Sequence, residues 1–212
     1  MSYEKRLKNI KTVESTTEFN YKEKGSQFIG LCVPVETLEG AEQLYLSTKK
    51  KNYDATHNCF AYKLSSNQIR YSDDGEPNGT GGIRILNAID HFDLTDVIVI
   101  VTRYFGGTKL GVGPLGKAYY NAAFEAINKN TFYEKYPFKL IKISIIAEYI
   151  SVIYHLINIY KGKITSSEFD SAYIISVIIP LENEKIFASD CINQTNGKVS
   201  LEIDEKIMYF RL

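Results

Sequence analysis

The sequence predicts an α+β protein of two domains, residues 1–136 and 137–212. Three observations carry that expectation. From residue 138 onward, stretches of strand and helix type follow in the order βαββαβ, which is the ferredoxin-like pattern. Before it, helices and strands surround Val97–Val101, an unbroken β-branched run of the kind that a sheet covered on both faces demands. Between the two, Glu134-Lys135-Tyr136-Pro137 reads as a short linker.

The elements follow in order. Phe19–Tyr21 and the apolar run from Phe28 form two strands across a charged turn at Lys22–Gly25. Thr37 or Glu39 starts a helix to about Lys51, with Ala41, Leu44, Tyr45 and Thr48 on one face. Asn58–Leu64 alternates as a strand and pairs with the QIRYS segment across Ser65-Ser66-Asn67. A polar loop leads to a helix over Ile83–His91, and the Val97–Val101 strand comes next. A second polar loop opens a helix from about Leu115 to Asn128. In the second domain, strands at 138–147, 162–169, 172–181 and 198–209 alternate with helices at 149–160 and 183–194. Turn signals at Lys161-Gly162, Asp170-Ser171 and Asn196-Gly197 separate them.

Composition excludes several classes. Lys+Arg and Asp+Glu both number 25, and splitting at Pro137 leaves each half near neutral, so any binding to a polyanion needs a local patch. Three scattered cysteines without a CxxC pair fit neither a disulfide framework nor a structural zinc site. The opening residues lack a signal-peptide core. Leu140–Tyr160 is interrupted by Lys142, Glu148 and His155, so a membrane span is not expected. A soluble protein of a reducing cytoplasm is the expectation.

Chemistry concentrates in the two polar loops, SDDGEPNGTGG and TRYFGGTKLGVGPLGKAYY. Asp73, Asp74 and Glu76 sit within four positions, beside Gly75 and Thr80. Such carboxylates cap backbone N–H groups, hold Mg²⁺, or act as acid and base. In the second loop, Gly106, Gly107 and Gly111 accompany Arg103, Tyr104, Lys109 and Lys117, with no acid from Val97 to Phe124. Glycines opening a helix expose N–H groups toward an anion. GVGPLGKA nearly spells a P-loop, but Ala118 stands where the magnesium ligand needs a hydroxyl. Arg103 either helps to hold a phosphate or pairs with Asp73 or Asp74.

His57 and Cys59, two apart on a strand, lie about 7 Å from each other and make no catalytic pair. His57 is expected to orient a loop, and Cys59 to fill core. Tyr62, Tyr71, Tyr104, Tyr119 and Tyr120 are either stacking platforms for single-stranded nucleic acid or half-buried core.

KGSQFIG at Gly25, DATHNCFAY at 54–62, YSDDGEPNGTGG at 71–82, VIVIVTRYFGGTKLG at 97–111 and GPLGKAYYNAA at 113–123 together resemble the IMPACT family, in its bacterial YigZ-type form. The resemblance implies an N-terminal α/β-sandwich similar to the second domain of a small-subunit ribosomal protein, joined to a ferredoxin-like domain as in elongation factor G. It points to RNA, the ribosome or translation factors as partners, with no established enzymatic activity. Kinases of small metabolites also use this sandwich, which keeps open a Mg-dependent enzyme acting on a phosphorylated small molecule or nucleotide. Arg84 stands where the family usually has proline, and Gln27 where a basic residue is common. The extra N-terminal domain of eukaryotic members is not expected, because the first strand already begins at Phe19. The expected function is therefore non-catalytic regulation in translation, without a required cofactor.

Overall fold

The structure is a computed structural model that describes residues 8–211. It divides into two compact units, Ile10–Glu134 and one running from Lys135 onward.

The first unit contains β1 (Ile10–Val13), β2 (Thr17–Glu23), β3 (Ser26–Pro34), α1 (Leu38–Lys51), β4 (His57–Lys63), β5 (Ile69–Ser72), α2 (Gly82–His91), β6 (Val97–Tyr104) and α3 (Val112–Asn128). Five of the strands form one antiparallel sheet in the order β2-β3-β6-β4-β5. The central strand β6 explains the unbroken apolar run. Val97, Val99 and Val101 enter a core shared with α2 and α3, while Ile98 and Ile100 enter a second core under α1. Alternate side chains leave opposite faces of a strand, so both must be apolar when both faces are covered. Each such side chain contributes about 1.5–3 kcal/mol on burial.

Local signals position the helices. Thr37 caps α1 by accepting from the Gly40 N–H at 3.1 Å, and Lys49, Lys50 and Lys51 occupy its last turn, where the helix dipole favours cations. The β2–β3 hairpin turns on Lys24 and Gly25 alone, with φ of 44° and 81°. That is the positive-φ pair a two-residue hairpin needs, so the strands extend further than the sequence suggests.

Two expectations change. β1 was not anticipated, being only four residues long. It is held by the Thr95 N–H donating to Lys11 O at 2.8 Å and by Thr12 Oγ1 donating to Asp96 O at 3.1 Å. Glu134–Pro137 is not a linker but part of β7 (Phe132–Ile145). Tyr136 and Pro137 stand opposite Phe210 and Tyr209. Pairing with β9 begins only at Phe138, so the proline's missing N–H falls where one flank of the ladder has ended.

The second unit holds most of β7 with α4 (Ile150–Ile159), β8 (Lys163–Phe169), β9 (Tyr173–Pro180), α5 (Glu184–Gln194) and β10 (Ser200–Phe210). Its strands pair in the order β10-β7-β9-β8, all antiparallel. Ile141, Ile143, Ile175, Val177 and Ile179 meet Ile153, Leu156 and Phe187 from the two helices. This is the ferredoxin-like arrangement the element order predicts.

Candidate functional site

The site lies at one end of the first sheet. β6 ends at Tyr104, β3 begins at Ser26 and β4 begins at His57, and the register sets Gln27 opposite Tyr104 and His57 opposite Arg103. The β2–β3 turn, residues 52–56 and both polar loops therefore reach the same end. Their approach is close enough to require glycine. A Cβ on Gly106 would fall 1.9 Å from the Gly25 carbonyl carbon, so only bare backbone fits where these turns touch.

Beneath the loops is a buried charge. Arg103 follows the inward parity of Val97, Val99 and Val101 and is 6% exposed. Its Nη1 donates to Glu76 Oε1 at 2.6 Å. Tyr119 donates its hydroxyl to the same oxygen at 2.8 Å, and His57 Nε2 stands 3.9 Å from Oε2. Burial above all holds the Tyr119 phenol far above its ordinary value, so it serves as a donor. Arg103 Nη2 reaches Ser26 Oγ at 3.4 Å, while Arg103 Nε has no hydrogen-bond partner among the described residues. The guanidinium lies over two rings, 5.4 Å from the Phe28 centroid and 5.5 Å from that of Phe105.

This arrangement corrects the expected pairing. Arg103 is bound by Glu76, not by Asp73 or Asp74, and is not a surface cation. The aspartates have other work. Asp73 accepts from the N–H groups of Gly79, Gly81 and Gly82 at 3.0, 2.9 and 2.8 Å, closing the start of α2. Asp74 accepts from Lys49 Nζ at 2.8 Å, the Tyr45 hydroxyl at 3.2 Å and the Asn58 N–H at 2.8 Å. Burial opposes its ionisation, but the Lys49 and Asn58 hydrogen bonds outweigh burial and hold its carboxyl below the ordinary value. The loop turns at Asp74 and Gly75, whose φ values are 42° and 89°. Thr80 donates to Pro77 O at 2.6 Å within the loop.

Among the described residues, no cluster of three or more His, Cys, Asp or Glu side chains is arranged to hold a metal ion. His57 Nδ1 is 2.7 Å from Asp74 O, the loop-orienting contact expected of it. Cys59 is buried, donates to Asp73 O at 3.0 Å, and has its thiol pushed well up by burial, so it is no nucleophile.

What remains outside is basic and aromatic. Lys24, Lys109 and Lys117 are exposed and form no ion pair among the described residues. Gly107 and Gly111 have φ of 86° and 82°, and Gly111 opens α3. A surface hollow of about 320 Å³ at the start of α3 is lined by Tyr21, Glu23, Gly113, Pro114, Lys117 and Ala118. Of the tyrosines singled out as platforms, Tyr62 and Tyr119 are core, Tyr104 and Tyr120 half-buried, and Tyr71 exposed. Sequence reasoning passed over Phe105, 47% exposed, and Tyr53, 86% exposed. Among the described residues, no helix is long and apolar enough to cross a membrane.

Comparison with known proteins gives a consistent picture. The profile of the Impact N-terminal domain matches residues 24–127. The chain is 33% identical over 174 residues to the IMPACT family member YvyE of Bacillus subtilis (strain 168), covering 81% of this chain and 75% of that protein. It is 29% identical over 184 residues to the IMPACT family member YigZ of Escherichia coli (strain K12), covering 84% and 89%. A crystal structure described as that of a hypothetical protein superposes with a TM-score of 0.71 at 25% identity, covering 94% of this chain and all of that one.

Proposed function

The chain belongs to the IMPACT family, and from that footing we propose that it is a non-catalytic, translation-associated protein. It binds RNA, on the ribosome or with translation factors, through the exposed second loop. The supporting observation is a division of charge at one end of the sheet. Every carboxylate of the first loop is hydrogen-bonded within the fold, and Glu76 holds Arg103, whereas Lys109 and Lys117 face solvent and form no ion pair among the described residues. Cations left unpaired on a rigid surface are what a phosphate backbone neutralises.

Equilibrium binding to ribosomes and to ribosomal RNA across a salt series tests the reading. The logarithm of affinity should fall against the logarithm of salt by roughly 0.7 for each phosphate contacted on a single strand. Lys109→Glu with Lys117→Glu should weaken binding and flatten that slope. No binding at low salt, or binding indifferent to both changes, defeats the proposal.

The hollow beside Lys117 favours a second reading, a small phosphorylated ligand, since about 300 Å³ is the lower bound of ligand sites. A thermal-shift screen with nucleotides and Mg²⁺ separates them, because a ligand at about 100 times its Kd stabilises by about 2.7 kcal/mol. A shift abolished by Lys117→Ala would promote the small-ligand reading.

A further inference from the structure

The loop end carries a built aromatic platform. The Arg103 guanidinium lies over two rings, that of buried Phe28 and that of half-exposed Phe105, which is the outer of the two. Glu76 fixes the guanidinium from the side. The backbone under the outer ring is tied at both flanks. The Phe105 N–H donates to Thr56 Oγ1 at 3.0 Å, and the Gly106 N–H donates to Ser26 Oγ at 3.1 Å. Tyr104 donates to Asp54 Oδ1 at 3.2 Å, fastening the 52–56 turn that carries the exposed Tyr53. An exposed phenyl ring is ordinary by itself. A ring seated on a buried cation, with its main chain anchored on two sides and unpaired lysines around it, is a prepared surface.

Resting on the proposed RNA-binding reading, we infer that Phe105 is a base-stacking platform, and that the nucleic acid this end accepts is unpaired single-stranded RNA rather than duplex. Duplex RNA hides its base faces in the stack and is met through phosphates and 2′-hydroxyls. An unpaired strand offers a base face to an aromatic ring and its phosphates to nearby cations. Lys24 supplies one such cation, because Gly25 touches Gly106 directly beside the ring, and Lys109 supplies another four residues on. The segment from Val97 to Phe124 itself contains no acid, and the nearby Asp54 carboxylate is engaged by the Tyr104 hydroxyl. Arg103 and Glu76 become positioning residues: they carry the ring and meet no ligand.

The test uses the full chain with a ten-nucleotide adenosine strand bearing one 2-aminopurine, its duplex with the complementary strand, and an oligoglutamate peptide as competitor. The single strand should bind more tightly than the duplex, and its 2-aminopurine fluorescence should be quenched on binding. Phe105→Ala should weaken single-strand binding roughly 5- to 100-fold, remove the quenching, and leave duplex binding unchanged in a variant that still unfolds cooperatively. Phe105→Tyr should restore both signals. Equal affinity for strand and duplex, or quenching that survives Phe105→Ala, overturns the inference while leaving RNA binding intact. Failure of either nucleic acid to bind removes the RNA reading itself. Displacement by oligoglutamate at lower concentration than by RNA overturns both in favour of an acidic protein partner.

Discussion

Residues 73–82, after β5, and residues 105–111, after β6, look alike as sequence, each glycine-rich and polar, yet they do opposite things. The first loop turns its charges inward: Asp73 closes α2, Asp74 ties α1 to β4, and Glu76 binds Arg103. The second turns outward, its main chain anchored at Phe105 and Gly106 while Lys109 stays in solvent. The chemical reason lies in the partners at hand. A carboxylate at the end of a sheet finds backbone N–H groups in every adjoining turn, whereas an ammonium group needs a carboxylate, and the first loop has already committed all of its own.

Four experiments can break or sharpen that contrast. The largest effect belongs to Glu76→Ala, which leaves the Arg103 guanidinium buried beside an Nε already without a partner. Stability measured by urea unfolding should fall by about 3–5 kcal/mol. A loss below about 1 kcal/mol would mean that the pair is incidental. Asp73→Ala comes next, since it orphans three N–H groups, and about 1–3 kcal/mol should go in the same assay.

Asp74 gives a smaller, pH-dependent signature. Its folded-state carboxyl titrates below the ordinary 3.8, so the unfolded chain binds the proton more readily. Its contribution is complete above the unfolded value and disappears as pH falls through the lower folded one. Thermal melts of Asp74→Asn should therefore show a shallower decline on acidification below about pH 4 than the parent. Parallel acid limbs would refute the assigned role. The smallest stability effect is expected outside: Lys109→Ala should change the unfolding free energy by no more than about 0.5 kcal/mol. A larger loss would place that side chain among the structural residues of the first loop.

Much of the fold was legible because its signals are local. The turn at Asn196-Gly197 and the βαββαβ order needed no tertiary knowledge, and the apolar run in β6 announced two covered faces. Glu134–Pro137 misled because charge and proline there read as a break between elements; the strand survives since its ladder is already incomplete on one side. The burial of Arg103 was within reach, for it shares the parity of three inward valines. Its partner was not, because the choice among Asp73, Asp74 and Glu76 depends on where the chain points after the reversal at Gly75. Phe105 escaped notice for a different reason: exposure beyond the end of a strand follows no period.

At Gly25 and Gly106 the hairpin tip and the second loop meet main chain to main chain, with no side chain as a cushion. Nothing compressible lies between them, so neither can shift by the width of a methyl group without pushing the other. A methyl group added at Gly106 would therefore have to wedge the hairpin tip and the second loop apart.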